Sequence, residues 1–460
     1  MTPPPDPARL SDAEKDALIL RQAALIAEQQ ALIAQLTARS AELEAELARL
    51  KRPGKDSSNS GMPPSRDNKP NRPNRPPRRK RGRGKGGGRP LQPDPDETVQ
   101  CRLVTCPGCG GAMPEAEQKV VRRYDRIELP PPRPVVTRVE LYGGRCRCCG
   151  ARVMAPAPAG LEPGSPFGPG IVAWAVYLRH VHAIGYQRLS RLFADLFGLA
   201  ISEGALANLL HRAKPRFDDQ AAAILARLRR SRLVCSDETG ARLRGRSVWE
   251  WVFQNDHYCV HVIRDSRAQT VPKAVMAGHR PAIWVSDLYG AQQGHAAQWQ
   301  VCLAHQLRDC QYAIDAGDAV FAPAMKHLLL RACAIGRRRP DLKDSTLRQY
   351  RGDLERRLDR IMALTPDSAD GKRLRKRYAA CRDALFLFVT ERDVPATNNA
   401  SERDIRPSTT FRKVTGGFRS EWGADLYAGV RSTLNTARRQ GLSPLQAIQN
   451  TLARQPVWTG

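Results

Sequence analysis

Apolar positions along the chain first fall into a pattern at 11–51, a stretch rich in Ala, Leu, Glu and Gln. Ile19, Ile26, Ile33, Ser40 and Leu47 recur every seven residues, and Leu36, Leu43 and Leu50 follow three positions after members of that series. This is the a/d seam of a coiled coil. Gln22 and Gln29 weaken the first half of the d row, while Leu25 and Leu32 widen the stripe. The spacing predicts one long helix that stops at Pro53-Gly54, a coiled-coil oligomerisation helix in preference to one packed on its own body. Periodicity then vanishes over 52–97, which runs from KDSSNSGMPPSRDN into NRPNRPPRRKRGRGKGGGRP and reads as a disordered polybasic linker.

Beyond it, 98–155 predicts a small β-rich unit with strand-like stretches at Lys119–Ile127 and Val135–Tyr142. Residues 156–230 read as helical. Within them Gln187–Phe197, then Gly198, then Ser202 as N-cap before Ala205–Ala213 has the outline of a helix-turn-helix. Helix–Gly–helix connections occur in any all-helical segment, so reading DNA is one use of the outline rather than its consequence. From 231 the pattern changes to short strands. Leu233–Asp237 is an apolar run ending in a carboxylate, and Ser247–Gln254 and Tyr258–Arg264 flank Asn255-Asp256 as a hairpin. After a helical stretch at Val271–Ala277, Ala282–Asp287 repeats the apolar strand, serine and aspartate. Trp299–Ala304 then leads into a helix near His305. Three antiparallel strands followed by alternating helix and strand is the order of a ribonuclease-H-like α/β sheet.

Length and charge narrow the picture. A chain of 460 residues allows two to four domains. Its 74 Lys and Arg against 46 Asp and Glu leave a formal charge of +28, with an isoelectric point near 10.2. Such a balance points to a polyanion, most commonly nucleic acid, although a ribosome-like or merely soluble basic protein shares it. Arg78, Arg79, Lys80, Arg81 and Arg83 of the polybasic stretch are candidate DNA contacts, each able to displace a counterion from phosphate. Gly170–Leu178 is among the longest apolar runs and falls far short of the ~20 residues of a membrane helix. The first ten residues lack a basic start followed by an apolar stretch. Both observations argue against an integral membrane or secreted protein and for a cytoplasmic, nucleoid-associated one.

Six of the twelve cysteines lie between Cys101 and Cys149, and the rest are scattered singly. Two knuckles of the form C-x-x-C-G stand out: Cys106-Pro-Gly-Cys109-Gly110 and Cys146-Arg-Cys148-Cys149-Gly150. Their thiolates, Cys106, Cys109, Cys146 and Cys149, predict one closed, structural Zn2+ site, with Cys148 able to replace a neighbour and Cys101 a bystander.

Asp237 and Asp287 end separate apolar strands and would lie side by side if those strands were neighbours. Packed together they would repel unless cations sat between them, and oxygen ligands without thiolates select Mg2+ or Mn2+. On spacing alone they could equally be N-caps or turn residues.

The segment Thr397-Asn398-Asn399-Ala400-Ser401-Glu402-Arg403-Asp404-Ile405-Arg406-Pro407 resembles the glutamate motif of DDE transposases, specifically of the insertion-sequence sixty-six family. GGFRSEWGADLYAGVRSTLNTARRQGLSPLQAI at 416–448 resembles that family's C-terminal signature. Asp237-Glu238-Thr239, Ser286-Asp287 with Tyr289, Cys302-x-x-His305 with Arg308, and the SSNSGMPPSRDN stretch fit as well. The resemblance covers nearly the whole chain. It implies that Asp237, Asp287 and Glu402 form a catalytic triad holding two Mg2+ (or Mn2+) ions for phosphodiester cleavage and transfer. Glu238 and Asp404 should point away from it, since neighbours on a strand or helix do not share a face. Arg406, four positions after Glu402, would bind a phosphate near the metals or pair with an acid. Lys413 is a further candidate DNA contact, and His305 and Arg308 are candidate supporting residues.

The gap from Asp287 to Glu402 is more than twice that from Asp237 to Asp287, too long for a bare ribonuclease-H fold. Residues 318–395 therefore read as a helical insertion, with helices at Met325–Ala334, Leu347–Leu364 and Gly371–Val389. Its clusters Arg337-Arg338-Arg339 and 372–377 would suit phosphate backbones or simply be solvated faces.

The expected architecture is multidomain. It comprises an N-terminal coiled coil (11–51), a polybasic linker (52–97), a small β zinc ribbon (98–155) and a helical domain (156–230). An α/β ribonuclease-H-like catalytic core (231–317 and 396–440) follows, interrupted by the helical insertion and closed by a C-terminal helix and tail (441–460). The expected activity is metal-dependent cleavage at mobile-element ends and strand transfer into target DNA. Partners would be the element's terminal repeats, target DNA, a second copy of the chain and, as the resemblance implies, small accessory proteins encoded nearby. Two other classes share parts of the pattern: a zinc-containing DNA-binding regulator without catalysis, and a ribonuclease-H-fold nuclease or resolvase.

Overall fold

The computed structural model describes residues 11–50, 52–60, 89–129 and 132–458. Arg78, Arg79, Lys80, Arg81 and Arg83 lie outside the described residues. The chain divides into two compact units, one of Met1–Asn68 with Lys214–Gly460 and the other of Lys69–Ala213.

In the first unit, α1 (Asp12–Leu50) begins at a capping box. Glu14 Oε2 accepts from Ser11 N at 2.8 Å and from Ser11 Oγ at 2.7 Å, so two groups at the helix start are satisfied by one carboxylate. Ile19, Ile26, Ile33, Leu36 and Leu43 of the heptad seam are all exposed. Residues 52–60, predicted to lack structure, form a turn instead. Asp56 Oδ1 accepts from Ser58 N at 2.7 Å and Asn59 N at 3.2 Å. Asn59 is buried and donates to Gly54 O and to Asp315 Oδ2, each at 3.1 Å. A side-chain turn of this kind needs no apolar periodicity, which is why the pattern missed it.

In the second unit, β1 (Gly143–Arg145) and β2 (Arg152–Met154) form a short antiparallel hairpin. The strands expected at Lys119–Ile127 and Val135–Tyr142 do not form. Those stretches have no strand partner among the described residues, and Val121 and Val135 are 98% and 93% exposed. A lone pair of strands is marginal without a layer to cover its apolar face, and among the described residues Lys119–Ile127 and Val135–Tyr142 form no strand. The helical segment follows expectation more closely. α2 (Pro169–His180) and α3 (Tyr186–Phe197) precede Gly198, which ends α3 in the left-handed region at φ 61°. Ser202 Oγ then accepts from Ala205 N at 3.2 Å at the start of α4 (Glu203–Arg229). The second helix of the predicted pair is thus much longer than Ala205–Ala213 and continues past Pro215.

The rest of the first unit is built on one mixed sheet. Its strands are β3 (Leu233–Leu243), β4 (Arg246–Gln254), β5 (Cys259–Arg264), β6 (Ile283–Ser286) and β7 (Gln298–Val301), with α5 (Thr270–Met276) between β5 and β6. The order is β5-β4-β3-β6-β7. β3 runs antiparallel to β4 and β4 to β5, while β6 lies parallel to β3 and β7. Arg244 and Gly245 turn β3 into β4 with positive φ of 49° and 79°, the geometry a two-residue hairpin requires.

The remaining helices are α6 (Leu303–Asp315), α7 (Phe321–Arg338), α8 (Asp344–Met362), α9 (Ala369–Ala380), α10 (Leu387–Thr390), α11 (Asn399–Thr415), α12 (Glu421–Arg439) and α13 (Pro444–Leu452). β5 would be an open edge, but α12 satisfies it: Cys259 N donates to Thr436 Oγ1 at 3.0 Å and His261 N to Ser432 Oγ at 2.8 Å. The inserted helices share one core with the sheet, where Phe321, Met325, Leu329, Leu354 and Tyr378 join Ile283, Val285 and Val301. The helix predicted through Gly371–Val389 breaks after Ala380. Arg382–Ala384 form a 3-10 turn there, and the chain resumes as the short α10, with Leu385 to Val389 all buried.

Candidate active site

Asp237 sits where the sheet forks. Pairing between β3 and β6 ends at Cys235–Val285, while β3 continues to Leu243 with β4 as its partner. β6 stops at Ser286, so Asp287 follows directly on the open flank of β3. Glu402 lies in the first turn of α11. Three separate elements thereby carry one carboxylate each towards this flank of the sheet, near enough for the charges of Asp287 and Glu402 to act on Asp237. Burial pushes the Asp237 carboxyl well above the ordinary carboxylate range, and the charges of Glu238, Asp287 and Glu402 add to the effect.

Glu402 Oε1 is buried without a hydrogen-bond partner in the described structure. His305 Nε2 and Arg308 NH2 lie 3.8 and 3.7 Å from it, too far for hydrogen bonds. His305 Nδ1 is likewise buried and unpartnered. Among the described residues no three His, Cys, Asp or Glu side chains are drawn close enough together to hold a metal ion. The donor chemistry nevertheless fits a hard divalent cation: mutually repelling carboxylates, one with an orphaned oxygen, and no thiolate aimed at them.

Two neighbouring acids are occupied elsewhere. Glu238 accepts from Arg267 Nε at 3.0 Å, Arg267 NH2 at 2.7 Å and Gln292 Nε2 at 2.6 Å. Burial raises its pKa, with the Asp287 charge next in importance. Arg267 also stacks over Trp249 and Tyr289, at 4.7 and 3.9 Å from the ring centroids. Tyr289 N donates to Asp287 Oδ1 at 2.9 Å and its hydroxyl to Arg267 O at 3.2 Å, so the loop bearing Asp287 is fastened to the arginine that holds Glu238. Asp404 is taken by Arg439, at 2.5 Å.

The other candidates separate. Arg406 is exposed one turn beyond Glu402, on a helix that runs through Pro407 to Thr415, and Lys413 is exposed on its last turn. Arg339 is withdrawn from any phosphate role: its guanidinium is bound to the carbonyls of Phe388, Glu391 and Val394. Lys372, Arg373, Arg375 and Lys376 stay exposed on α9 while Leu374 and Tyr378 face inward. Cys302 is buried with its thiol pushed up to about 11, chiefly by burial, and accepts from Asn398 N at 3.1 Å. Pattern reading passed over Asn398 and Arg267; the Asn-Asn doublet before Glu402 was the available signal for the first, and nothing local marked the second.

Both cysteine knuckles form in the second unit. Gly110 N donates to Cys106 O at 2.8 Å and Gly150 N to Cys146 O at 2.9 Å, the two glycines having φ of 75° and 70°. Backbone N–H groups of Gly108 and then Cys109 lower the Cys106 thiol, and those of Cys149 and then Cys148 lower Cys146. Each is a competent half-site, but the four thiolates expected to share one ion are not assembled among the described residues. Neither Lys119–Ile127 nor Val135–Tyr142 forms a strand that could set a register between the knuckles.

Architecture and site together define a multidomain α/β protein with neighbouring acidic residues at the fork of a mixed sheet. The family model "Transposase IS66 family" matches residues 164–426, more than half the chain, and the chain belongs to that family. Two similar proteins come from Sinorhizobium fredii (strain NBRC 101917 / NGR234). Uncharacterized protein y4qI is 38% identical over 17% of this chain and 15% of its own length. Uncharacterized protein y4jO is 32% identical over 19% and 27%. The chain thus matches only a minor part of either relative. Among solved structures, the Mos1 strand transfer complex is similar over 32% of this chain and 60% of that one, at 12% identity and a TM-score of 0.12, too low to bear on the fold. Among the described residues no helix is long and apolar enough to cross a membrane.

Proposed function

We propose that this protein is a DDE transposase that cleaves DNA at the ends of a mobile element and joins the freed 3′ ends to target DNA. The observation that carries the reading is the electrostatic coupling of Asp237, raised by burial and then by the charges of Glu238, Asp287 and Glu402, beside a Glu402 Oε1 left without a hydrogen bond. The strand order, with three antiparallel strands and two added in parallel, suits a ribonuclease-H-like core. Those three carboxylates would hold two Mg2+ or Mn2+ ions, which when bound activate the attacking oxygen and stabilise the leaving one. His305 and Arg308, on the first turns of α6 beside Glu402, would orient the scissile phosphate. Arg406 and Lys413 along α11, the exposed cations of α9 and the polybasic stretch around Arg78–Arg83 would hold the phosphate backbone.

Transposition requires two DNA ends in one complex, so the reading includes a homo-oligomer. The exposed seam of Ile19, Ile26, Ile33, Leu36 and Leu43 on α1 supports a coiled coil between copies. Small accessory proteins encoded nearby would complete the complex. The cysteine knuckles would share one structural Zn2+ once drawn together, with no part in the chemistry.

The test is mobility of a marker flanked by the element's own terminal repeats, with wild type compared against Glu402→Gln. Insertions with wild type and none with the variant, at equal protein level and DNA binding, are expected. Equal mobility of the two would remove Glu402 from the site. Magnesium-independent DNA binding with no cleavage by either would favour a regulator, and cleavage without joining a nuclease or resolvase.

A further inference from the structure

Asn398 occupies the N-cap position of α11, where an asparagine side chain ordinarily accepts a hydrogen bond from a backbone N–H of the first turn. Here it makes no such bond. Its Nδ2 instead donates across to Ser236 O on β3 at 2.7 Å, the carbonyl immediately before Asp237. Its Oδ1 accepts from Ser401 Oγ at 2.7 Å, immediately before Glu402. Its backbone N–H donates to Cys302 Sγ at 3.1 Å, at the junction of β7 and α6, and the adjacent Leu303 N donates to Ala396 O at 3.0 Å. Gln254 Nε2 on β4 closes the arrangement by donating to Ser401 Oγ at 3.1 Å. Asn398, Ser401, Cys302, Gln254 and Ser236 are all buried.

We infer that Asn398 is a positioning residue that sets the distance between Asp237 and Glu402. The inference rests on the proposed triad and goes beyond it, since the Asn398 side chain bonds to Ser236 O and Ser401 Oγ rather than serving as a ligand. The side chain that could cap α11 instead links two chain segments 162 residues apart in sequence. The link runs between the peptide that precedes one carboxylate and the residue that precedes the other, with α6, the helix of His305 and Arg308, tied to the same asparagine through Cys302. A carboxylate cage holds a cation well only when its members are kept within a fraction of an ångström, and β3 and α11 have no covalent reason to hold that spacing. Ser401 serves the same function from the helix side, orienting the Asn398 amide through its hydroxyl.

The test uses Asn398→Ser and Ser401→Ala in the full chain. Serine at 398 keeps a good N-cap but is too short to reach Ser236 O, and alanine at 401 favours the helix while removing the bond to Asn398. Two readouts are taken: Mg2+-induced rise in melting temperature without DNA, and cleavage of element-end DNA in Mg2+ and in Mn2+. Both variants are expected to keep the metal-free melting temperature within a few degrees of wild type and to bind DNA normally. The Mg2+ concentration for half-maximal thermal stabilisation should rise roughly tenfold or more. Cleavage should fall by a similar factor and recover in part with Mn2+, which binds such sites more tightly.

Wild-type Mg2+ midpoints and cleavage in both variants, alongside an inactive Glu402→Gln, would overturn the positioning role and leave the triad standing. Glu402→Gln retaining full cleavage and full Mg2+ stabilisation would overturn the triad and the inference with it. If one variant fails to fold, the other decides the question alone.

Discussion

Arg439→Met should be one of the costliest single substitutions in the protein, and costlier than neutralising its partner. Asp404 follows Glu402 by two residues on α11, and Arg439 ends α12. Their side chains are 7% and 14% exposed and meet at 2.5 Å. Arg439 also donates to Asn255 O and Asn435 O, each at 2.8 Å, and to Gln254 Oε1 at 3.0 Å. Removing the guanidinium leaves a buried carboxylate whose remaining neighbour of donor type is the Cys259 thiol at 3.5 Å. An ion left unpaired in the interior costs about 3–5 kcal/mol, which for a unit as large as Met1–Asn68 with Lys214–Gly460 lowers the melting temperature by roughly 4–8 °C. Asp404→Asn is milder, because the guanidinium keeps three uncharged acceptors. The loss is that of one charged hydrogen bond, about 1.5–3 kcal/mol.

The double variant Asp404→Asn with Arg439→Met buries no net charge and should be more stable than Arg439→Met alone by about 1 kcal/mol or more. Urea and thermal unfolding followed by tryptophan fluorescence would measure all four proteins, since Trp251 and Trp284 are fully buried in the sheet. Equal losses from the two single changes, or a double variant as unstable as their sum, would refute the argument.

Asp237→Asn should raise the melting temperature of the metal-free protein while abolishing cleavage. The folded-state pKa of Asp237 lies above its unfolded value, so its carboxylate costs stability at neutral pH, and that cost disappears as pH falls below the ordinary carboxylate range. The advantage of the variant should therefore shrink in acid, and it should also vanish when saturating Mg2+ stabilises the wild type. Gly417 has φ of 99°, and a Cβ there would lie 2.8 Å from Arg242 O, where Phe418 N donates to the end of β3. Gly417→Ala should destabilise by roughly 1–2 kcal/mol or more, read as a lower urea midpoint. Replacing Ile19, Ile26 and Ile33 together by Asp should reduce the mass measured by light scattering to that of one chain while leaving the first unit's fluorescence-detected unfolding unchanged. Cys106→Ser should lower the zinc bound per chain, measured by atomic absorption, without altering the Mg2+ midpoint of the catalytic unit; unchanged zinc content would dismiss the metal reading of the knuckles.

Much of this molecule is encoded in short windows. Heptad spacing defines α1, alternating apolar runs define β3 to β7, Gly198 and Ser202 define the α3–α4 junction, and C-x-x-C-G defines each knuckle, because each depends on residues within one or two turns of chain. The resemblance carried by Glu402 and the C-terminal signature is what implies a shared role for Asp237, Asp287 and Glu402. What no local window contains is the choice among neighbours. Asp237 and Glu238 are adjacent acids. Strand alternation separates them, but it took the three-dimensional approach of Arg267 and Gln292 to occupy Glu238 and leave Asp237 among its fellow carboxylates. Asn398 reads locally as a helix cap, and only its packing against Ser236 and Cys302, far away in sequence, turns it into a link. The stretches Lys119–Ile127 and Val135–Tyr142, which form no strand, and the docked turn at 52–60 make the same point in opposite directions. β-propensity does not make a sheet without a partner to cover it, and a stretch without apolar pattern acquires a fixed form when one buried asparagine finds a carboxylate. Spacing determines which elements form; long-range contacts, whose energies depend on distances between residues remote in sequence, decide which side chains share a site.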